Sequence, residues 1–291
     1  MARISYKTER QKEFGRHFDS LCGSRSRWQA WSDFVHLAGY AISNMVDEVH
    51  RDKREHEYQR IAKGYTDSEM ETMSKLLAVT SFALNENPEQ DFLGELYMML
   101  DLGNSDAGQF FTPYHICDFM SRITFGANTK EQIERKGWIS VNDPCVGGGA
   151  LLIAFINTCA QEGINYKQNV LVVGQDIDHS TAMMAYIQLS ILGCAGYIVV
   201  GNSLSEPLTG DTLFAPMDRE VFVTPMYCDQ IWDRRRTWHT VEQLLKSEFR
   251  PKTVAPPNGE SVQTSEQIVE QDSEKIEDDN YVPIQMSLFD T

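Results

Sequence analysis

Apolar side chains recur at helical spacing through the first hundred residues of the chain. The segments that begin at Arg27 and Asp67 place apolar residues three or four positions apart, and the segment from Asp91 to Leu102 continues the pattern. Acidic residues at the start of the second segment are typical of a helix start. The pattern therefore predicts a helical N-terminal region over residues 1–104.

Short apolar runs alternate with helical segments over residues 105–250. A proline directly after Thr112 suits the first turn of a helix. Downstream, the runs ISVND, VLVVGQD, YIVVGNSL and EVFVTPMY are typical of strands, and apolar helical segments follow the first two. This alternation predicts an α/β fold with a parallel, doubly wound sheet. Ligands bind such sheets at the carboxyl ends of the strands, where we expect every site residue named below.

The last part of the chain, residues 251–291, has a different composition. It is rich in Pro, Ser, Gln and Glu until the run IQMSLF, which predicts an acidic, disordered tail. Residues 259–291 carry nine acidic residues against one lysine, a charge of −8 out of the formal net charge of −16. A charge of this sign disfavours nucleic acid as a partner. However, the basic run Arg234–Arg236 lies between Trp232 and Trp238, and it suits either contact with DNA or a solvated helix start.

The cysteines are scattered, and no pair has C-x-x-C spacing. This spacing disfavours a zinc cluster or a disulfide framework and is typical of a reducing cytoplasm. No apolar run approaches the roughly 18–20 residues that span a bilayer, and the polar start MARISYKTERQK is unlike a signal peptide. We therefore expect a cytoplasmic protein with no membrane partner and no metal.

A glycine-rich turn follows the first predicted strand. Asp143 ends that strand, and Gly147 and Gly149 would let the backbone turn tightly and approach a ligand. Asp176 ends the next strand, 33 residues after Asp143, where it could accept hydrogen bonds from ribose hydroxyls. Alternatively, Asp176 could cap the following helix, a role for which Asp178 competes. The third glycine of a dinucleotide fingerprint is absent, which disfavours a nicotinamide oxidoreductase.

Taken together, these segments resemble one family. DPCVGGGALL resembles the D-P-C-x-G-x-G segment of adenine-N6 DNA methyltransferases of the type I modification-subunit kind, and GQFFTP is similar to that family's G-x-F-x-T-P element. VVGQDID and VVGNSL resemble the next two elements of the family in order. The resemblance implies a Rossmann-like fold that binds S-adenosylmethionine (SAM). It implies these cofactor-binding residues: Phe110, Thr112, Asp143, Gly147, Gly149, Asp176 and Asn202.

The chain departs from the family at the motif that holds the adenine. Members carry Asn/Asp-Pro-Pro-Tyr/Phe after the fourth strand, and no such tetrapeptide occurs in this sequence. Thr224-Pro225-Met226-Tyr227 stands at the expected place. The resemblance implies that Thr224, Pro225 and Tyr227 hold a flipped adenine, with the threonine hydroxyl as the acceptor. In the alternative interpretation, Thr224-Pro225 only ends a strand.

Two functions follow from these observations. The first is a SAM-dependent DNA adenine-N6 methyltransferase of restriction-modification type, which would act on DNA. The second is a catalytically silent SAM-binding protein tethered to the replication clamp or to a restriction-modification complex. Because the chain lacks the length for a separate target-recognition domain, we expect sequence choice to come from a partner such as a specificity subunit.

The end of the tail resembles the bacterial sliding-clamp-binding peptide Q-L-[SD]-L-F. Leu288 and Phe289 would fill an apolar pocket of the clamp, and Gln285 would make polar contacts at its edge. Tethering to the clamp would raise the local concentration of an acidic protein near DNA. The alternative is a tail that packs against its own domain.

Overall fold

A computed structural model describes residues 5–23, 25–102, 111–248 and 284–285. Within those residues, helices precede a sheet, and further helices connect its strands. The helices are α1 Glu9–Leu21, α2 Arg27–Asn44, α3 Arg51–Ala62, α4 Asp67–Glu86, α5 Phe92–Met99, α6 Tyr114–Thr124, α7 Ala127–Lys136, α8 Ala150–Gln161, α9 Tyr166–Asn169, α10 His179–Ile191 and α11 Gln230–Glu248. The strands are β1 Ile139–Asp143, β2 Val170–Asp176, β3 Ala195–Val200, β4 Glu220–Val223 and β5 Ile284–Gln285. The predicted mixed α/β fold with N-terminal helices is confirmed.

Hydroxyl side chains fix where the N-terminal helices begin. Thr8 and Ser26 accept hydrogen bonds from backbone N–H groups in the first turns of α1 and α2. At α4 the side chain of Thr66 and that of Glu69 form a capping box, each bonding the backbone of the other. These caps satisfy N–H groups that have no partner within the helix, so they set the boundaries that apolar spacing alone leaves open.

The N-terminal helices share one hydrophobic core with the sheet. Helix α2 packs against α10, and Gly39 allows this close approach because a Cβ there would lie 2.5 Å from the sulfur of Met183. Beside this contact, the imidazoles of His36 and His179 stack and are 2.8 Å apart at their nearest nitrogens. His179 also contacts Glu220 of β4 at 3.1 Å. Helix α2 therefore packs against α10 and is linked through His179 to strand β4.

The sheet has the strand order β4-β3-β2-β1-β5. Strands β1, β2, β3 and β5 run parallel, so Asp143 and Asp176 lie at the same edge of the sheet. Strand β4 runs antiparallel to β3, with Val223 opposite Tyr197 and Glu220 opposite Val200. The prediction of an all-parallel sheet is wrong for this strand. Residues 201–219 form no helix in the structure, so the chain returns directly alongside β3 instead of crossing over to run parallel.

Strand β4 lies at one side of the sheet, and helix α3 covers its outer edge. Arg54 is buried and donates to the backbone carbonyl of Val221, while its guanidinium stacks over the ring of Phe222 at 4.2 Å. The same guanidinium pairs with the buried Asp47 at 2.5 Å. Covering an edge strand in this way removes a template for pairing with another chain.

All six cysteines are unpaired thiols. Among the described residues, no group of His, Cys, Asp and Glu side chains is arranged to hold a metal ion. Within the same part of the chain, every helix is too short or too polar to cross a bilayer.

Candidate functional site

The glycine turn predicted from the sequence connects β1 to α8. Gly147 and Gly149 have φ values of +54° and +97°, which L side chains rarely adopt. The turn is tied to the neighbouring strand because the N–H of Val146 donates to the carbonyl of Gln175 at 2.9 Å. The backbone of the turn is therefore held rigidly at the carboxyl ends of β1 and β2.

Asp176 anchors this turn from the end of β2. Its Oδ2 accepts a hydrogen bond from the N–H of Gly147 at 2.9 Å, and its Oδ1 accepts one from the N–H of Asp178 at 2.9 Å. Burial raises the pKa of Asp176. The cap of α10 is Asp178, which accepts from the N–H of Thr181 at 2.8 Å. Asp176 thus faces the glycine turn, where a ribose is expected from the sequence.

Asp143 ends β1 below the turn and is buried, with 3% of its surface exposed. Its Oδ1 accepts a hydrogen bond from the N–H of Cys145 at 3.0 Å. Burial, with a smaller contribution from Asp176, raises the pKa of Asp143 to about 7. A carboxyl group in this setting is costly to ionise unless a cation or further donors approach it.

A small cavity of about 70 Å³ opens between the glycine turn and helix α6. It brings together Thr112, Asp143 and Gly147, three of the residues predicted to bind the cofactor. Phe111 also lines the cavity and stacks on Tyr97 of α5, with 5.3 Å between ring centroids. Phe110, which was predicted to act with Thr112, lies outside the described residues.

Asn202 follows β3 at the same edge of the sheet. Its side-chain Oδ1 accepts a hydrogen bond from the N–H of Leu204 at 2.9 Å, which closes a local turn, and the residue is exposed. The next residue, Ser203, lies 3.9 Å from the thiol of Cys145 in the glycine turn. The loop that carries Asn202 therefore borders the site.

Thr224 lies beside the amino end of β3, whereas these residues lie at the carboxyl ends of the parallel strands. It is fully buried, and its hydroxyl donates to the carbonyl of Cys194 at 2.7 Å and accepts from the N–H of Gly196 at 3.1 Å. Because β3 rises ~3.3 Å per residue, its carboxyl end is roughly 15–20 Å away. The expectation that every site residue lies at the carboxyl edge is wrong for Thr224. The cause is the antiparallel direction of β4, which carries its own carboxyl end to the far side.

Pro225 and Tyr227 share the position of Thr224. Pro225 opens a 3-10 turn over Pro225–Cys228, which continues away from β4. The phenol of Tyr227 is buried, and its hydroxyl donates to the carbonyl of Leu213 at 2.9 Å and accepts from the N–H of Ala215 at 3.0 Å. Its ring packs edge-on against Tyr197 at 5.8 Å. In the structure the ring of Tyr227 is thus a packing element, and it does not face the glycine turn, as a role in holding a flipped adenine beside the cofactor would require.

Two buried polar residues behind the glycine turn, Asp91 and Gln188, were not predicted from the sequence. Gln188 of α10 donates to the carboxylate of Asp91 and to the carbonyl of Gly148, both at 2.7 Å. Asp91 caps α5 by accepting from the N–H of Gly94 at 2.8 Å. The available signal was a single glutamine inside an otherwise apolar run, AYIQLSIL, since a buried amide needs polar partners.

Comparison with solved structures gives two distant neighbours. A Listeria monocytogenes structure assigned as a class I S-adenosylmethionine-dependent methyltransferase is 15% identical, with a TM-score of 0.39, and the match covers 70% of this chain and 57% of that one. The methyltransferase subunit of a type I restriction-modification system from Streptococcus thermophilus is 17% identical, with a TM-score of 0.37, and the match covers 71% and 46%. The chain therefore spans about half the length of these structures.

Comparison with sequences gives a direct assignment. No curated protein matches the chain significantly. The sequence profile of the N-6 DNA methylase family matches residues 89–268, which is more than half of the chain. This match includes the helix capped by Asp91, the glycine turn and the strands that carry Asp143 and Asp176. The resemblance found in the sequence is thereby confirmed: the chain belongs to the N-6 DNA methylase family.

Proposed function

We propose that the chain binds SAM at the edge formed by the carboxyl ends of β1 and β2, and that it does not methylate adenine on its own. The observation that carries this proposal is the separation of Thr224 from the glycine turn. Thr224 is buried at the opposite edge of the sheet and bonded to the backbone of Cys194. A ligand held at the glycine turn would therefore lie far from Thr224-Pro225-Met226-Tyr227, the segment that stands in the place of the base-binding motif.

The cofactor half of the proposal is supported by the chemistry of the carboxyl edge. Gly147 presents a backbone in the left-handed region that a Cβ would strain, and Asp176 holds that backbone in place. Asp143 offers a buried carboxyl group that favours a positively charged ligand. SAM combines a ribose with such a charge. The residues that we expect to hold it are Thr112, Asp143, Gly147, Gly149, Asp176 and Asn202.

Methyl transfer to adenine makes a further demand on the protein. Bound SAM supplies a methyl group on a sulfonium, and the thioether that transfer releases is a good leaving group. The reaction therefore depends on alignment and needs no metal. The protein must orient the adenine amine by accepting its N–H hydrogen bonds within about 3 Å of a fixed oxygen, because misplacement by about 1 Å can cost a hundredfold in rate. Neither Thr224 nor the ring of Tyr227 meets this demand at the glycine turn.

Membership of the N-6 DNA methylase family favours a second candidate function. In that case the chain is a SAM-dependent DNA adenine-N6 methyltransferase of a restriction-modification system, and a partner subunit supplies the base acceptor and the choice of target sequence. The two candidates share the SAM site and differ only in whether methyl groups reach DNA.

One experiment separates the two candidates. The purified full chain is titrated with SAM by calorimetry and is then incubated with tritiated SAM and unmethylated plasmid DNA, once alone and once with the subunits that copurify with it from its native host, beside an active DNA adenine methyltransferase as a positive control. We expect SAM binding and no tritium in the DNA. Tritium in N6-methyladenine would overturn the silent function in favour of the second candidate. A folded chain that does not bind SAM would overturn both.

The clamp-binding interpretation of the tail remains a proposal with its own test. Leu288 and Phe289 lie outside the described residues, while Ile284–Gln285 forms the short strand β5 beside β1. Deleting residues 285–291 should abolish capture of the chain by immobilised bacterial sliding clamp. Undiminished capture by the shortened chain would contradict the interpretation.

A further inference from the structure

The carboxylate of Asp91 lies behind the glycine turn, and only one of its two oxygens accepts hydrogen bonds from the described residues. Asp91 is 3% exposed. Its Oδ1 accepts hydrogen bonds from the N–H of Gly94 at 2.8 Å and from the amide of Gln188 at 2.7 Å. Within the part of the chain that the structure describes, its Oδ2 has no hydrogen-bond donor.

This second oxygen lies against the middle glycine of the turn. A Cβ added to Gly148 would lie 2.9 Å from Oδ2 of Asp91, so only glycine leaves room for the carboxylate at this point. Asp91 and Gly148 line the same 70 Å³ cavity as Asp143 and Thr112. The carboxylate of Asp91 is therefore part of the wall of the predicted cofactor site.

The cavity contains two buried acids and no basic side chain in its lining. Burial raises the pKa of Asp91, and burial raises that of Asp143 to about 7. A larger neighbouring cavity shares Asp91 and is lined also by Lys7, but the ammonium of Lys7 pairs with Glu95 at 3.1 Å. Since desolvated carboxylates are stabilised by a cation, the charge of this cavity favours a ligand with a positively charged group.

SAM carries two positive groups, an ammonium at its amino-acid end and a sulfonium. An ammonium donates three hydrogen bonds, whereas a sulfonium has no N–H or O–H to donate. Oδ2 of Asp91 needs a hydrogen-bond donor, so it matches the ammonium. The geometry also fits, because Asp176 contacts Gly147 on the side where the ribose is expected, and Asp91 contacts the adjacent Gly148.

We propose that Asp91 binds the ammonium group of SAM and so fixes the amino-acid end of the cofactor. This inference rests on the proposed SAM binding and extends it to a residue that lies 56 positions before Gly147. It also explains the fixed placement of the carboxylate: Gln188 and the α5 N-terminus hold Oδ1, which leaves Oδ2 directed to the ligand.

The test replaces Asp91 by asparagine and measures binding by calorimetry. Asp91→Asn keeps the Oδ1 acceptor for Gly94 and Gln188 but removes the charge, so the unliganded variant should melt no lower than the wild type. Its Kd for SAM should rise by about tenfold or more, as expected for loss of a charge-assisted hydrogen bond. The matched control is Asp229→Asn, which removes a carboxylate at the start of α11, at the opposite edge of the sheet. It should leave the Kd unchanged.

Two cofactor analogues identify which group Asp91 binds. S-adenosylhomocysteine keeps the ammonium and lacks the sulfonium, so Asp91→Asn should weaken its binding as much as that of SAM. The analogue of SAM without its amino group should bind the wild type and the variant equally. If Asp91→Asn weakens S-adenosylhomocysteine and the analogue without the amino group equally, or weakens neither, the role of Asp91 is overturned while SAM binding stays intact. Failure of the wild type to bind SAM overturns the proposed function, and this inference with it.

Discussion

The hydroxyl of Thr224 donates a hydrogen bond to the backbone carbonyl of Cys194 at 2.7 Å. It also accepts one from the N–H of Gly196 at 3.1 Å, so a single side chain closes the ladder between β4 and the start of β3. Both contacts lie at the amino end of β3, away from the glycine turn. The residue that occupies the place of a base acceptor in the sequence is thus a structural residue of the sheet.

Replacing Thr224 by valine should lower stability without changing cofactor binding. The variant keeps the side-chain volume but leaves the buried carbonyl of Cys194 and the N–H of Gly196 short of a partner, which costs about 1–3 kcal/mol. Urea unfolding measures this loss, and calorimetry should give an unchanged Kd for SAM. Thr224→Ser retains the hydroxyl and serves as the control. A folded Thr224→Val protein with weakened SAM binding would contradict the structural role.

The sequence predicted the strands of the cofactor edge with their observed bounds. Val170–Asp176 begins with a continuous apolar run, Ile139–Asp143 alternates apolar and polar residues, and both end in a carboxylate. All but one residue of each segment is buried, as in strands covered on both faces. The glycines between β1 and α8 then predicted the turn. These features depend on local pattern and on the parallel arrangement that helical crossovers impose.

The direction of β4 could not be predicted in the same way. The run EVFV has the same pattern whichever way it is paired, and its direction is set by the connection 201–219, whose lack of a helix is visible only in the structure. The position of Thr224 depended on that direction. Asp91 was missed for a related reason, because its partners Gln188 and Gly148 are distant in sequence and meet it only through the packing of α5 and α10.

Gly147 and Gly149 should tolerate alanine to different degrees. At Gly147 a Cβ would meet only the ring of Phe111 at ordinary contact distance, 3.5 Å, so the cost is the left-handed backbone, about 1–2 kcal/mol. At Gly149, φ is +97° and a Cβ would lie 3.3 Å from the backbone of Ala185 in α10. We expect Gly149→Ala to be the less stable variant in urea unfolding. Equal stability of Gly147→Ala and Gly149→Ala would show that the close approach of α10 at Gly149 does not add to the cost of a Cβ there.

Arg54 should contribute strongly to stability, because it holds helix α3 against the outer strand β4. Replacing it by methionine leaves the carbonyl of Val221 without its donor and leaves the buried Asp47 with His50 as its remaining side-chain partner, a loss of about 3–5 kcal/mol. The neighbouring Arg51 bonds only the exposed carbonyl of Asn44 at 2.9 Å, so Arg51→Met should change stability by less than about 1 kcal/mol. The measurement is urea unfolding of both variants, and an equal, small effect would contradict a role for Arg54 in holding β4.

The unliganded protein should be more stable at pH 5 than at pH 8 through Asp143. Burial raises the pKa of this carboxyl from 3.8 to about 7 in the folded chain. Between these values the folded state keeps a proton that the unfolded state has lost, so the free energy of unfolding falls as the pH rises from about 4 to about 7 and then levels off. Asp91 and Asp176 act in the same direction, because burial also raises their pKa values.

Asp143→Asn keeps the acceptor for the N–H of Cys145 and removes one titrating group. The loss of stability between pH 5 and pH 8, measured by urea unfolding without ligand, should therefore be smaller in Asp143→Asn than in the wild type, by up to ~3 kcal/mol. A wild type that gains stability over this range relative to the variant would contradict the burial of a protonated Asp143.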